Sequence, residues 1–201
     1  MSNKKKIILS LCIIVFFVLT IMIKLNQELF IDKVVYDFMT KYLIGSNFTN
    51  IVKFITNFGG AVVLCILSVV LFLIFIKSFG IYIIANLGLV SICNVILKNI
   101  IVRPRPNINR LISESGYSFP SGHMMISTAF YGFLIYLIYK NINNKYLKWF
   151  MICFLSILIL LIGLSRVYLG VHYITDIMGG LIFSIVYLIL FIEFCSKCQK
   201  S

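Results

Sequence analysis

Both histidines and all three prolines of this chain fall in three short stretches: Lys98 to Pro106, Pro120 to His123 and Ser165 to Asp176. The first offers Lys98, Arg103 and Arg105, and the third adds Arg166. Guanidinium groups clamp phosphate oxygens in pairs, and a lysine adds a point charge. Pro104 and Pro106 stiffen the cationic segment, because each fixes its own φ and restrains the arginine before it. Pro120-Ser121-Gly122-His123 reads as a turn that opens a helix, with Ser121 at the N-cap and Gly122 allowing close approach of backbone to a ligand. Amide groups and the helix dipole at such a terminus favour an anion, and His123 would stand beside it. His172 and Asp176 are four residues apart and are expected to share a face on the first turns of a helix. The carboxylate can then accept from one imidazole nitrogen and leave the other unprotonated toward a substrate, which is how a nucleophile is prepared.

Each stretch also has a plainer reading. A lone basic residue at a helix end most often snorkels toward lipid headgroups. The tetrapeptide at 120–123 can be a helix start and nothing more, and a His-Asp pair commonly just holds a helix end. Four cations at one mouth, beside both histidines, favour phosphoryl chemistry over these readings, and that depends on what brings the stretches together.

The positioning elements are membrane-spanning helices. With 61% hydrophobic and 12% charged residues, the chain has too few charges to cover a water-soluble core. Six apolar runs reach spanning length once flanking charges snorkel. Lys6 to Lys24 encloses 17 uncharged residues, Lys53 to Lys77 encloses 23, and Lys77 to Lys98 encloses 20. A fourth run lies between Glu114 and Lys140 and is apolar from Met124 to Tyr139. Lys148 to Arg166 encloses 17, and Asp176 to Glu193 encloses 16. No small-residue cleavage site follows the first run, which reads as an uncleaved anchor. Alternating crossings put the end of helix three, the start of helix four and the junction of helices five and six at one face. The three polar stretches therefore converge by span counting alone.

Setting aside Lys98, Arg103, Arg105 and Arg166 as bound to the site, nine Lys and Arg residues lie on the side of the termini and five on the other. This predicts cytoplasmic N- and C-termini and an extracytoplasmic mouth. In the first outer loop, Phe30, Ile31, Val34, Val35, Phe38, Met39 and Tyr42 recur at helical spacing, with Asp32, Lys33, Asp37 and Lys41 between them. That pattern suits either an amphipathic helix in the interface or one packed over the bundle. Asn47-Phe48-Thr49 matches a glycosylation acceptor, a short pattern common by chance. Cys12, Cys65, Cys93 and Cys153 lie within apolar runs and read as small buried hydrophobes, and Cys195-x-x-Cys198 lacks further metal ligands. Without repeats or linkers, residues 1–201 read as one all-α, polytopic membrane domain.

The three stretches resemble the signature motifs of the type 2 phosphatidic acid phosphatase (PAP2) and vanadium haloperoxidase superfamily. K-x6-R-P is met by Lys98, Arg105 and Pro106, P-S-G-H by residues 120–123, and S-R-x5-H-x3-D by Ser165, Arg166, His172 and Asp176. The six runs and short length resemble its bacterial phosphatidylglycerophosphatase B-like branch. The resemblance implies that His172 attacks phosphorus, Asp176 orients it, and His123 protonates the leaving oxygen and then activates water. It also implies that Lys98, Arg105, Arg166, Ser121 and the Gly122 amide hold the phosphoryl oxygens, with Arg103 as a helper. Neither a cofactor nor a metal is expected, nor a nucleic-acid partner. The expected substrate is a membrane lipid phosphate such as phosphatidylglycerophosphate, undecaprenyl diphosphate or phosphatidic acid, and no residue chooses among them or indicates an oligomeric state. A lipid phosphotransferase using the same intermediate is an alternative. A non-catalytic lipid or anion transporter is a weaker one, since transporters usually place their sites near the midplane on broken helices.

Overall fold

A computed structural model describes residues 1–44, 46–76, 78–107 and 110–198. Lys77 and the side chain of Asn47, invoked above for span boundary and glycosylation, lie outside the described residues, as does Lys200, one of the nine basic residues counted on the side of the termini. Eight helices make up the described chain, and it contains no strand: α1 (Asn3–Leu25), α2 (Phe30–Tyr42), α3 (Ser46–Asn57), α4 (Ala61–Ile74), α5 (Gly80–Ile101), α6 (Gly122–Asn141), α7 (Lys145–Tyr168) and α8 (Ile174–Cys198).

Helices α1, α5, α6, α7 and α8 are each long and apolar enough to cross a bilayer. The run expected as one span between Lys53 and Lys77 is broken at Phe58-Gly59-Gly60 into α3 and α4, bent by 44°. The reason lies in the packing, because a methyl group on Gly59 would stand 2.5 Å from Ile162 Cγ2 and 2.8 Å from Ser127 Oγ. Only glycine lets the elbow seat against α6 and α7. The broken pair still supplies a crossing. The N-terminal ammonium lies 3.2 Å from Glu193 Oε1 near the end of α8, so both ends of the chain share one face. Five crossings would separate them, and the sixth must come from α3 and α4. This is the architecture of a multi-pass membrane protein.

Helix α6 is the hub, packed against α5, α7 and α8. Its Met124, Phe130, Tyr131 and Phe133 are buried with Ile159 and Ile162 of α7 and Ile177 and Phe191 of α8. Small residues bring the helices close: a methyl on Gly163 would meet Met124 Sδ at 2.6 Å, and one on Gly180 would meet the Ser121 carbonyl at 3.1 Å. Outward, α5 shows Ile81, Leu89, Ile92, Val95 and Ile96, and α7 shows Phe150, Phe154, Ile157 and Leu160, the apolar exterior that lipid requires. Cys65 and Cys153, expected to be buried, belong to this exterior, and none of the six cysteines is in a disulfide.

Helix α2 combines the two readings offered by its sequence. Val35 and Met39 pack on the bundle core, whereas Phe30, Val34, Phe38 and Tyr42 remain exposed on its outer side. Asp32, which the pattern assigns to a polar face, is only 2% exposed and points into the bundle.

Candidate active site

Four chain segments build the site: the end of α5 with the loop behind it, the start of α6, the end of α7, and the α7–α8 connection. Helix α5 stops at Val102, whose backbone is left-handed at φ 57°. A β-branched residue rarely adopts this conformation, and it swings Arg103 inward just past Lys98. The 120–123 turn is held from two sides. Asn94 Nδ2 donates to the Pro120 carbonyl at 3.3 Å, and the Ser121 amide donates to the Asp176 carbonyl at 3.1 Å. Gly122 then opens α6 against Asn94, where a methyl group would lie 3.1 Å from Asn94 Oδ1.

His172 is 3% exposed and lies in the connection before α8, not on the helix as its spacing from Asp176 suggested. Asp176, in the first turn of α8, folds back to it instead. Asp176 Oδ2 accepts from the Tyr173 amide at 2.9 Å, which caps the turn, and lies 3.2 Å from His172 Nδ1. The Ser118 hydroxyl donates to the same oxygen. On the other side of the ring, Arg105 Nη1 approaches His172 Nε2 at 3.1 Å. A guanidinium can only donate, so Nε2 carries the lone pair and the proton sits on Nδ1, toward the carboxylate. Burial pushes the His172 pKa down to about 4, against the opposing pull of the Asp176 hydrogen bond and charge. The ring is thus neutral at ordinary pH.

The cations ring this imidazole. Arg105 also donates to the carbonyls of Val171, Gly116 and Ser115, each at 3.0 Å, and burial lowers its pKa. Lys98 Nζ donates to the Tyr117 carbonyl. Arg166 is 1% exposed, donates to Thr56 Oγ1 of α3 at 2.9 Å and is ion-paired with Glu114. The second Glu114 oxygen lies 4.0 Å from Arg105 Nη2, so one carboxylate sits between the two motif arginines. His123, half-buried at the start of α6, lies within the electrostatic reach of Arg166, His172, Arg105 and Lys98. It lines a cavity of about 170 Å³ whose other walls come from α4 and α5, including Leu64 and Leu87. Ser121 stands at the N-cap of α6, but its hydroxyl makes no capping bond. Ser121 Oγ and Arg166 Nε are buried without a hydrogen-bond partner.

Of the residues singled out in the sequence, only Arg103 turns away from the ring of cations. Its Nη1 donates to Asp176 Oδ1 at 2.6 Å and to Thr175 Oγ1 at 2.7 Å, and its Nη2 donates to Asp32 Oδ2 at 2.7 Å and to the Gln27 carbonyl at 2.6 Å. Its Nε donates to Gln27 as well, at 2.8 Å, and Tyr173 stacks on its face with 4.1 Å from Cζ to the ring centre. Every nitrogen is engaged behind Asp176, and none is directed at the mouth. Sequence reasoning missed Asp32, Ser118 and Thr56 as contributors and used Glu114 only as the boundary of an apolar run. The one available signal was that a chain with six acidic residues and a net charge of +12 has few carboxylates to leave idle. No group of three or more His, Cys, Asp or Glu side chains placed to hold a metal ion occurs among the described residues.

A family model described as the PAP2 superfamily matches residues 79–200. The chain is 37% identical over 115 residues to phosphatidylglycerophosphatase B of Bacillus subtilis (strain 168), covering 56% of this chain and 55% of that protein. Over 76 residues it is 37% identical to the bacitracin transport permease protein BcrC of Bacillus licheniformis, covering 37% of this chain and 32% of that one. The chain thus spans about half, or less, of the length of these relatives. Its fold is similar to the crystal structure of a transmembrane PAP2 type phosphatidylglycerolphosphate phosphatase from Bacillus subtilis, with a TM-score of 0.85, 27% identity, and coverage of 94% of this chain and 96% of that one.

Proposed function

The chain belongs to the PAP2 superfamily, and we propose that it is a lipid phosphatase that hydrolyses a phosphate monoester or diphosphate on a membrane lipid through a phosphohistidine. The observation that carries this reading is the state of His172, with Nδ1 held toward Asp176 and an unprotonated Nε2 presented beside Arg105. In the first step Nε2 bonds to phosphorus as the bond from phosphorus to the lipid oxygen breaks, and His123, protonated while the anionic phosphate sits beside it, gives its proton to that oxygen. In the second, neutral His123 takes a proton from water as the water oxygen bonds to phosphorus and the bond to Nε2 breaks. Phosphate leaves and both histidines are restored.

The roles of the remaining groups follow from charge. Lys98, Arg105 and Arg166, with Ser121 and the Gly122 amide, would stabilise the phosphoryl oxygens as negative charge concentrates on them. The Glu114 carboxylate between Arg105 and Arg166 marks a place where a two-oxygen anion is held, and a phosphate suits the same fork. The unpartnered Ser121 Oγ and Arg166 Nε are a donor pair that such an anion would satisfy. The largely apolar cavity beside His123 lies on the leaving-group side, which supports a lipid as the leaving group. A two-metal mechanism would need several free carboxylates, yet Asp176 and Glu114 are already committed to arginines.

The mouth is assigned to the extracytoplasmic face of the plasma membrane. At the opposite end, the facing ends of α6 and α7 carry Lys140, Lys145 and Lys148, the basic excess that marks a cytoplasmic boundary, and Tyr139, Tyr146 and Trp149 suit a membrane interface on either side.

The deciding experiment measures inorganic phosphate released by the purified protein in detergent from phosphatidylglycerophosphate, undecaprenyl diphosphate and phosphatidic acid, with excess chelator and then with vanadate. At least one lipid should be hydrolysed in chelator, and vanadate, which adopts five-coordinate geometry, should inhibit. Phosphate passed to another acceptor without release would make the protein a phosphotransferase, and rescue of a chelator-killed enzyme by magnesium would refute the metal-free mechanism.

A further inference from the structure

Outside the motifs, one buried ionised group has no task in the mechanism above. Asp32 lies on α2, and its side chain is fully enclosed. Oδ2 accepts from Arg103 Nη2 at 2.7 Å and from the Leu29 amide at 3.1 Å, and Oδ1 accepts from the Thr175 amide at 3.0 Å and from Thr175 Oγ1 at 2.8 Å. Arg103 in turn holds Asp176, whose other oxygen holds His172. One guanidinium therefore bridges two carboxylates, with both ion pairs shielded from water.

The charge balance of this cluster gives Asp32 a task. If Arg103 faced Asp176 alone, the pair would be neutral, and the carboxylate would support little positive charge on His172. With Asp32 on the far side of the guanidinium, two negative charges share one positive charge. One unit of negative charge is left behind the imidazole, in a setting where charges interact strongly because water is excluded. When Nε2 bonds to phosphorus the ring becomes cationic, and that residual charge is its counter-ion. A helper that merely tied α2 to the bundle would need no ionised group facing Arg103, since burying an ion pair is a poor way to stabilise a fold.

We propose that Asp32 is a positioning residue for the phosphatase reaction: by sharing Arg103 with Asp176 it keeps the Asp176 carboxylate charged toward His172 and so sets the nucleophile's basicity. This rests on His172 being the nucleophile. Asp32 touches neither the imidazole nor the cation ring, so its removal should spare substrate binding and slow the chemistry.

The test uses the full chain in detergent, acting on whichever of the three lipids the wild type hydrolyses fastest, and follows kcat, KM and the acid limb of kcat/KM. Around His172 the charged and titratable groups are Asp176 of α8, Arg105 of the α5–α6 loop, Lys98 of α5 and His123 of α6, and none of them is altered. Asp32→Asn makes the cluster neutral, so the acid limb should move down by about one pH unit and kcat should fall about tenfold with KM within about twofold. Arg103→Gln leaves two negative charges and should move the limb up by a similar amount. Asp32→Asn combined with Arg103→Gln restores the single negative charge, and the limb should return to the wild-type position. A purely structural tether predicts instead a stationary limb and a double variant no better than either single one. If Asp32→Asn does not fold, the upward shift in Arg103→Gln and its reversal in the double variant carry the same test. Wild-type kcat and limb in folded Asp32→Asn, or a double variant whose limb stays displaced, overturns the proposal. Activity in His172→Ala would remove the nucleophile reading itself, whereas an inactive His172→Ala beside an unaffected Asp32→Asn rejects this inference alone.

Discussion

At His172, two opposed contacts specify one tautomer: Asp176 Oδ2 on Nδ1 and Arg105 Nη1 on Nε2. On the proposed mechanism His172→Ala removes the attacking nitrogen and is expected to lower kcat by about 10⁴-fold or more, whereas Asp176→Asn removes only orientation and charge support and should retain measurable turnover. Near-normal phosphate release from His172→Ala would end the mechanism. The same ring sets an acid limit. Because its pKa is pushed down to about 4, the proposed nucleophile is neutral above that pH and is lost by protonation as pH falls through it. In wild type, kcat/KM corrected for the phosphate ester's own second ionisation near ~6 should therefore persist well below pH 6 and decline only near the histidine's value. A limb centred at 6.5 or above would mean an imidazole that is neither buried nor engaged as described.

Among the elements, the α3–α4 elbow determines whether α3 can reach the site, where Thr56 accepts a bond from Arg166. A methyl group on Gly59 would lie 3.2 Å from His123 Cδ2 as well as against Ile162 and Ser127. These neighbours belong to packed helices and have little freedom to yield. Gly59→Ala should therefore destabilise the protein by about 1–3 kcal/mol through overpacking and reduce kcat by displacing His123 or the elbow. Thermal unfolding in detergent and steady-state kinetics would check both effects. A variant that unfolds and turns over like wild type would show that the elbow is not seated where the structure has it.

For the whole molecule, the ion pair between the N-terminus and Glu193 puts both ends of the chain opposite the mouth. With α5 ending at the mouth and α6 ending at the other face, cysteines placed at Asn107 and at Lys145 in a cysteine-free background should label from opposite sides with a membrane-impermeant reagent. Asn107 is expected to react from outside the cell and Lys145 from the cytoplasm. The reverse pattern would invert the protein in the membrane while leaving the phosphatase reading intact.

Much of this could be read from the residues in order. Run lengths specify helices because lipid offers the backbone no hydrogen bonds, and an even number of crossings then gathers 98–106, 120–123 and 165–176 at one face whatever the packing details. The helical period of the apolar residues from Phe30 to Tyr42 likewise marks α2 as a helix. What lay beyond reach were contacts between residues far apart in the chain. Asp32 meets Arg103 across 71 positions and Thr175 across 143, and nothing in the sequence announces those partners or separates its carboxylate by chemistry from that of Asp37, five residues on. Arg103 and Arg105 are two residues apart with the same chemistry, and only the left-handed turn at Val102 and the depth of Asp32 send one behind the nucleophile and the other in front of it. The break at Gly59 was half legible: the run is uncharged, but Thr56-Asn57 and Gly59-Gly60 interrupt it with a local breaker signal that counting charges passes over. What only packing shows is that neighbours from α6 and α7 exclude a side chain at Gly59. Periodicity and charge are properties of the chain, whereas steric exclusion and the pairing of buried charges arise only once distant segments share one volume.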